Sequence, residues 1–133
     1  MVKNNNITNK NTLLIVPIIG PSYDDVVAQI TQAQTLADII EMRWDLIDSD
    51  VVSRFSSCIR CNILPMIFTI RHHDHGGMWD DSEDARLSLF LILLRYTPEY
   101  IDCEYDAGIV LKGITREKDS ETKLIVSYHN MKS

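Results

Sequence analysis

The sequence has few cysteines, no basic tract and no long apolar run, and each shortage excludes a class of protein. Three cysteines in 133 residues are an odd, low number for a disulfide framework, which favours a reducing compartment and a cytoplasmic location. The longest apolar run, 87-LSLFLILL-94, is far shorter than the roughly 20 residues that a membrane-spanning helix needs. We therefore expect a chain that does not enter a membrane.

The charge balance narrows the choice of partners. The net charge is −6 and lysine and arginine are nowhere clustered, which argues against nucleic acid or an anionic membrane as a partner. A small anionic ligand remains compatible, because a local pair of arginines outweighs a mildly negative background. Residues 1–12 are polar and Asn-rich, unlike a targeting segment. We expect them to be disordered or a short N-terminal segment, and residues 13–133 to form one domain.

Short apolar segments alternate with amphipathic ones along that domain. The apolar segments predict strands over 13–18, 38–45, 64–70, 100–105 and 123–128. The intervening segments predict helices over 20–37, 49–61 and 82–96, and a short, poorly periodic helix or loop over 107–120. The first helix carries a capping box in Ser22 and Asp25. Continuous apolar strands alternating with helices indicate an α/β fold with a parallel sheet covered by helices.

Polar side chains follow four of the five predicted strands at their carboxyl ends. They are Glu41 and Arg43, Arg71, Asp102 and Glu104, and Ser127 and His129. The carboxyl ends of parallel strands meet at one edge, where α/β proteins carry their functional groups. We therefore predict one shared site, in preference to four unrelated salt-bridged strand ends.

The stretch 70-IRHHDHGGMWDD-81 raises the question of a metal site. Together with Cys58-x-x-Cys61, the pair His72-x-x-His75 has the residue types of a zinc site. A predicted strand of seven residues lies between the pairs and separates its ends by roughly 23 Å, whereas zinc ligands lie about 2.0–2.3 Å from the ion. We therefore expect no metal shared by the two pairs. A smaller metal site within the His72–His75 loop stays open as an alternative.

Four motifs in register resemble the type I 3-dehydroquinate dehydratase family. They are 41-EMRWD-45, 68-FTIR-71 followed by Gly76-Gly77, 101-IDCE-104 and 125-IVSYHN-130. The resemblance implies the first five βα units of a (β/α)8 TIM barrel, and hence an incomplete barrel. It implies a lyase of the shikimate pathway, which serves aromatic amino acid biosynthesis. The family dehydrates 3-dehydroquinate to 3-dehydroshikimate through a Schiff base to a lysine, without metal or cofactor.

The resemblance also implies roles for individual residues. His129 corresponds to the catalytic base, Glu41, Arg43 and Arg71 correspond to residues that bind substrate, and Asp102 and Glu104 correspond to a supporting acidic pair in which Glu104 orients an arginine. Where many bacterial members carry a glutamate that orients the catalytic histidine, this chain has His75. Either His75 hydrogen-bonds His129, or Asp74 takes the role of the glutamate. A histidine at this position would lower the pKa of His129 if either ring were protonated.

The Schiff-base lysine of the family lies on the sixth strand, and the resemblance ends before that position. Lys132 follows His129 by only three residues and does not match it. The resemblance therefore implies an N-terminal part of the enzyme that is inactive alone, with the missing half of the barrel or a second copy as partner. Two alternatives stay open: a non-catalytic module that binds a hydroxylated carboxylate, and the metal-binding domain.

Overall fold

The computed structural model describes residues 11–119 and 121–131. Most of the predicted N-terminal segment over 1–12, and Lys132, lie outside the described residues. Among the described residues, no helix is long and apolar enough to cross a membrane.

Five strands and four helices alternate along the described chain. They are β1 (Ile15–Gly20), α1 (Tyr23–Ala33), β2 (Ile39–Ile47), α2 (Ser49–Cys58), β3 (Met66–Thr69), α3 (Glu83–Leu93), β4 (Tyr100–Glu104), α4 (Ile109–Glu117) and β5 (Lys123–Ser127). Single 3₁₀ turns follow α2, β3 and α3. The five predicted strands and first three helices are confirmed, and the uncertain segment after β4 is a helix of nine residues.

The strands form one parallel sheet in the order β1-β2-β3-β4-β5. Each of the first four strands is followed by a helix that returns the chain to the start of the next strand, so all five carboxyl ends lie at one edge. The predicted parallel α/β architecture is confirmed. Within residues 11–119 and 121–131 the sheet is not closed, and β1 and β5 are its edge strands.

Polar side chains at the helix starts fix where α1 and α3 begin. The Ser22 hydroxyl accepts a hydrogen bond from the Asp25 N–H at 3.2 Å and donates to the Asp25 carboxylate at 2.8 Å. Ser22 therefore caps α1 as predicted, although the Asp25 carboxylate pairs with the Ser22 hydroxyl, whereas in a capping box it would accept the Ser22 backbone N–H. Ser82 caps α3 in the same way through the Ala85 N–H.

Alternation along the strands separates an apolar face from a polar one. On β2, Ile40, Met42 and Trp44 are buried in the core, while the intervening Glu41 and Arg43 are only partly buried. The rings of Trp44, Phe55, Phe68 and Tyr96 pack edge to face in this core, with centroids 4.9 to 5.7 Å apart. Period-two alternation therefore directs the polar residues to the other face of the sheet.

Candidate active site

The strand register aligns the polar residues across the sheet. Arg43 of β2 pairs with Thr69 of β3, and Thr69 pairs with Asp102 of β4. One step nearer the carboxyl edge, Glu104 pairs with Ser127 of β5. Paired residues on neighbouring strands project from the same face, so four strands contribute polar side chains to one surface.

Arg71 is the centre of this surface. Its side chain is only 8% exposed, and its guanidinium lies 2.9 Å from the Asp102 carboxylate. It also donates a hydrogen bond to the Ser127 hydroxyl at 2.9 Å, and that hydroxyl donates to Asp102 at 2.7 Å. Arg71 is thereby held by partners on β4 and β5. A guanidinium fixed in this way presents a permanent charge and rigid donors to a ligand.

Glu104 was expected to orient an arginine, and its bonded partner is Arg86 of α3. The two side chains are each 1% exposed and form an ion pair at 2.8 Å. Glu104 also accepts the His72 N–H at 2.9 Å, whereas Arg71 lies 3.9 Å away. Burial alone would raise the pKa of Glu104, but the bonds from the His72 N–H and Arg86 outweigh it and lower that pKa. Glu104 is therefore a charged, structural anchor.

Arg43 and Glu41 are each held by one neighbour. Arg43 forms a bidentate pair with Asp45, at 2.7 and 3.0 Å. This hydrogen-bonded pairing outweighs burial and raises the pKa of Arg43. Glu41 accepts the Thr69 hydroxyl at 2.7 Å. Both side chains are half-buried, so each keeps a surface available to a ligand.

The histidine loop is an ordered turn that folds back on Arg71. The Trp79 N–H bonds the Arg71 carbonyl at 3.1 Å, and the His73 N–H bonds the Trp79 carbonyl at 2.9 Å. Gly76 has a φ of +84°, in the left-handed region. A Cβ on Gly77 would collide with the Arg71 backbone. The Gly-Gly pair therefore has a structural reason in the close approach of loop to strand.

His75 lies against His129, beyond the end of β5. Their ring centroids are 5.9 Å apart and the rings are nearly perpendicular. Asp74 instead contacts His72 at 3.6 Å and His73 at 3.0 Å. His75 is therefore the neighbour of the His129 ring, but among the described residues no hydrogen bond joins the two rings.

The pKa of His129 is lowered. Burial is the main cause, and Arg71 and then His75 add to it, while Asp102 and Glu104 oppose it. A lowered pKa keeps the imidazole neutral near pH 7, the state in which it accepts a proton.

Comparison with known proteins assigns the chain to a family. The family model described as type I 3-dehydroquinase matches residues 14–133. The chain belongs to the type I 3-dehydroquinase family.

Individual relatives agree with this assignment. The 3-dehydroquinate dehydratase of Methanococcus maripaludis strain C6 is 31% identical over 120 residues, which are 89% of this chain and 54% of that protein. The solved 3-dehydroquinate dehydratase of Enterococcus faecalis is 25% identical with a TM-score of 0.77, over 98% of this chain and 58% of that one. A type I enzyme of Clostridium difficile, solved with covalently modified comenic acid, is 26% identical with a TM-score of 0.73, over 91% and 52%.

The chain thus spans about half the length of these relatives. Its five parallel strands match type I dehydroquinase TIM-barrel structures, so the incomplete (β/α)8 barrel is confirmed. The polar face of the sheet corresponds to the inside of that barrel, where active sites lie at the carboxyl ends of the strands.

The metal alternative has a geometric basis in the loop. His72, His73 and Asp74 offer ligand atoms within 4.8 Å of one another. The Nδ1 of His72 already accepts the Asp74 N–H at 3.1 Å, and the Nδ1 of His73 lies 3.2 Å from the Trp79 carbonyl oxygen. His73 and Asp74 are also exposed, which is typical of a solvated surface loop. Among the described residues, this group contains neither Cys58 nor Cys61.

Clefts in the described structure differ in what lines them. A cleft of about 340 Å³ contains His75, Asp106 and His129 in its walls. A larger one of about 420 Å³ lies where α3 and α4 end, and its lining is Leu91, Leu94, Arg95, Thr97, Glu117 and Asp119. The larger cleft is at the amino edge of the sheet, away from the predicted site residues. Of these two clefts, the one of about 340 Å³ contains the predicted residues His75 and His129.

Several residues of the site were not assigned from the sequence. They are Asp45, Arg86 and Asp106, as partners of predicted residues. Asp106 lies in the turn after β4, where no periodicity indicates the direction of a side chain. Arg86 carried no signal, since an arginine inside a predicted helix is ordinarily solvated.

Proposed function

We propose that this chain supplies the first five βα units of a 3-dehydroquinate dehydratase of the shikimate pathway, acting on 3-dehydroquinate. The observation that carries the proposal is the convergence of polar strand-end side chains around Arg71, in a chain of the type I 3-dehydroquinase family. The substrate is a hydroxylated ring acid. Such a ligand needs fixed donors and acceptors, which this surface offers.

The proposed binding residues are Arg43, Arg71 and Glu41. The two guanidinium groups donate to ring hydroxyls, and the Glu41 carboxylate accepts from one. Each is held by a protein partner at 2.7 to 2.9 Å. Because these side chains are positioned before the ligand arrives, binding costs less conformational entropy.

The proposed base is His129. In the proposed reaction a lysine outside these 133 residues forms an iminium with the substrate ketone, which makes the proton on the neighbouring carbon acidic. The neutral imidazole takes that proton, and the electron pair moves into the iminium as an enamine. The same proton then passes to the departing hydroxyl, which leaves as water while the enamine electrons form the carbon–carbon double bond and the nitrogen lone pair restores the iminium. Hydrolysis of that iminium frees the lysine and the product ketone. No metal or cofactor takes part in these steps.

The proposal includes a partner for the open sheet. Edge strands β1 and β5, together with the residues that adjoin them, expose apolar side chains, among them Leu14, Ile15, Val126 and Tyr128, which are 46 to 63% exposed. An exposed apolar edge strand favours pairing with further strands. We propose that the remaining βα units of the barrel occupy these edges, with a second copy of the chain as the competing occupant. The three free thiols are consistent with the cytoplasm.

Two measurements on the purified 133-residue chain test the proposal. Calorimetry with 3-dehydroquinate is expected to give saturable heat, which Arg71→Ala abolishes and Arg95→Ala, an exposed arginine elsewhere, leaves intact. Absorbance of 3-dehydroshikimate is expected to stay flat, because the lysine is absent. Turnover by this chain alone would refute the missing-lysine part of the proposal, and absence of saturable heat would refute the binding site.

The alternatives are separated by two further experiments. In a chain extended to the whole barrel, His129→Ala is expected to abolish dehydration; equal rates would favour a binding module. Adding zinc and then a chelator to the 133-residue chain is expected to leave its thermal unfolding unchanged. A rise of the melting temperature with zinc that the chelator reverses would favour the metal-binding alternative.

A further inference from the structure

We infer that Asp106 is a positioning residue that acts through His75 on His129, so that the three side chains form a hydrogen-bonded relay. The catalytic role of this relay rests on the proposed function, because His129 acts as a base only in the proposed dehydratase reaction. The arrangement of the three groups is independent of that function and can be tested in this chain.

The first link of the relay is present in the structure. The Nε2 of His75 lies 2.9 Å from an Asp106 carboxylate oxygen. The His75 side chain is 8% exposed, whereas Asp106 is 51% exposed. A carboxylate only accepts hydrogen bonds, so this contact puts the proton of neutral His75 on Nε2. The opposite ring nitrogen, Nδ1, then carries a lone pair.

The second link joins two buried nitrogens that lack partners. Among the described residues, neither Nδ1 of His75 nor Nε2 of His129 has a hydrogen-bond partner, and both are shielded from solvent. The two rings are neighbours, with centroids 5.9 Å apart and an interplanar angle of 88°. A buried polar nitrogen without a partner is costly. A small rotation of His129 would let its Nε2–H donate to the lone pair of His75.

The relay determines which nitrogen of His129 is left as the base. With its Nε2–H directed at His75, His129 keeps its lone pair on Nδ1. The negative charge of Asp106 polarises His75 and stabilises the protonated form of His129. The other charged groups facing His129 are Arg71, which follows β3, and Asp102 and Glu104 from β4. Asp106 is the carboxylate that reaches His129 through a second ring.

The geometry of the clefts supports this assignment. Asp74, His75 and Asp106 line both the 340 Å³ cleft of His129 and a neighbouring cleft of about 200 Å³ that contains Glu104 and Arg86. Of the two carboxylates, Asp106 is the one bonded to His75. They therefore stand in the wall between the anchored ion pair and His129. Asp106 follows β4 by two residues and is exposed to solvent, so its replacement by asparagine is expected to preserve the fold.

Nuclear magnetic resonance of the ring nitrogens tests the relay in the 133-residue chain, which has only four histidines. The variant Asp106→Asn removes the charge and keeps the shape. The matched control is Asp74→Asn. Asp74 lies in the loop that carries His75, and its carboxylate contacts His72 and His73. In the unmodified chain we expect His75 and His129 each to carry the proton on Nε2 when neutral.

Asp106→Asn is expected to reduce the Nε2–H population of both rings. It is also expected to lower the pKa of His129 by about 0.5 to 1 unit, less than the effect of a directly contacting charge. Asp74→Asn is expected to leave the tautomer of His129 unchanged, and Asp106→Glu to restore it. Equal responses of His129 to Asp106→Asn and Asp74→Asn would overturn the relay.

A double-variant cycle adds an independent test. In a His75→Phe background the relay is interrupted, so Asp106→Asn is expected to change nothing at His129. A change of the same size with and without His75 would show that Asp106 acts on His129 through space, and the relay would be wrong. These readouts involve no turnover. If they succeed while His129→Ala leaves the complete enzyme active, the proposed function fails and the relay stands.

Discussion

The two faces of the five-stranded sheet differ in residue type: one is apolar and aromatic, and the other is charged. On the face covered by helices, Trp44, Phe55 and Phe68 are at most 3% exposed and pack ring against ring. On the other face, Arg43 and Arg71 are held by ion pairs, in which their side chains are 22% and 8% exposed. Apolar burial stabilises a fold strongly, whereas the attraction within an ion pair is largely offset by the cost of removing its charges from water. The fold therefore depends on the first face and ligand binding on the second.

The largest loss of stability is expected on the helix-covered face. Phe55→Ala should lower the free energy of unfolding by about 3–5 kcal/mol, because it leaves a cavity in a close-packed core. Phe55 lies edge to face against Trp44, Phe68 and Tyr96. Urea denaturation measures the loss. The control is Ile92→Ala, at a side chain that is 46% exposed; comparable losses for both variants would contradict the contrast between the faces.

The second largest loss of stability is expected at the buried ion pair of Arg86 and Glu104. Arg86→Met should cost about 3 kcal/mol, because it leaves the Glu104 carboxylate buried without its partner. Both members of this pair are 1% exposed. Adding Glu104→Gln should recover part of the loss, since the amide carries no charge to desolvate. Denaturation of the single and double variants, with exposed Arg95→Met as the control, measures the coupling; strictly additive losses would refute it.

The carboxyl edge of the sheet was predictable from sequence because two independent signals coincide there. Apolar runs end abruptly at Arg71 and Glu104, and the parallel arrangement of strands brings such ends together. The helix-covered core was predictable because the spacing of the apolar residues along the sequence indicates both the strands and the helices and which of their residues are buried. The strand at 13–18 is displaced to Ile15–Gly20, a difference of two residues at a boundary set by pairing with β2.

What could not be predicted depends on side-chain partners in three dimensions. The burial of Arg86 follows from the position of Glu104 on a strand that lies 18 residues further along the chain. The bond between His75 and Asp106 joins two turns separated by 31 residues. Neither turn has a periodicity that indicates its direction. The motifs at the strand ends carry their alternation in the sequence, and these tertiary pairs do not.

The stability of the fold should depend on the charge of Glu104 in acid. The pKa of Glu104 is lowered in the folded chain, so the ionised carboxylate contributes fully to stability above its unfolded pKa near 4.5. That contribution is lost as the pH falls through the lower, folded pKa. The free energy of unfolding, measured by circular dichroism, should therefore fall less steeply between pH 5 and pH 2 in Glu104→Gln than in the unmodified chain. Exposed Glu117→Gln serves as the control, and identical slopes in all three proteins would count against an ionised Glu104.

The smallest effect is expected far from both faces, at the start of α1. Ser22→Ala should reduce the free energy of unfolding by about 1 kcal/mol, because the Asp25 N–H loses its acceptor. The Ser22 hydroxyl is exposed and bonds both the backbone and the side chain of Asp25. Water therefore replaces part of the hydrogen bonding that the variant loses. Thermal unfolding measures the change against Ser57→Ala, at an exposed position within α2. An effect of Ser22→Ala as large as that of Phe55→Ala would mean that local capping rivals the core, and the contrast between the faces would lose its basis.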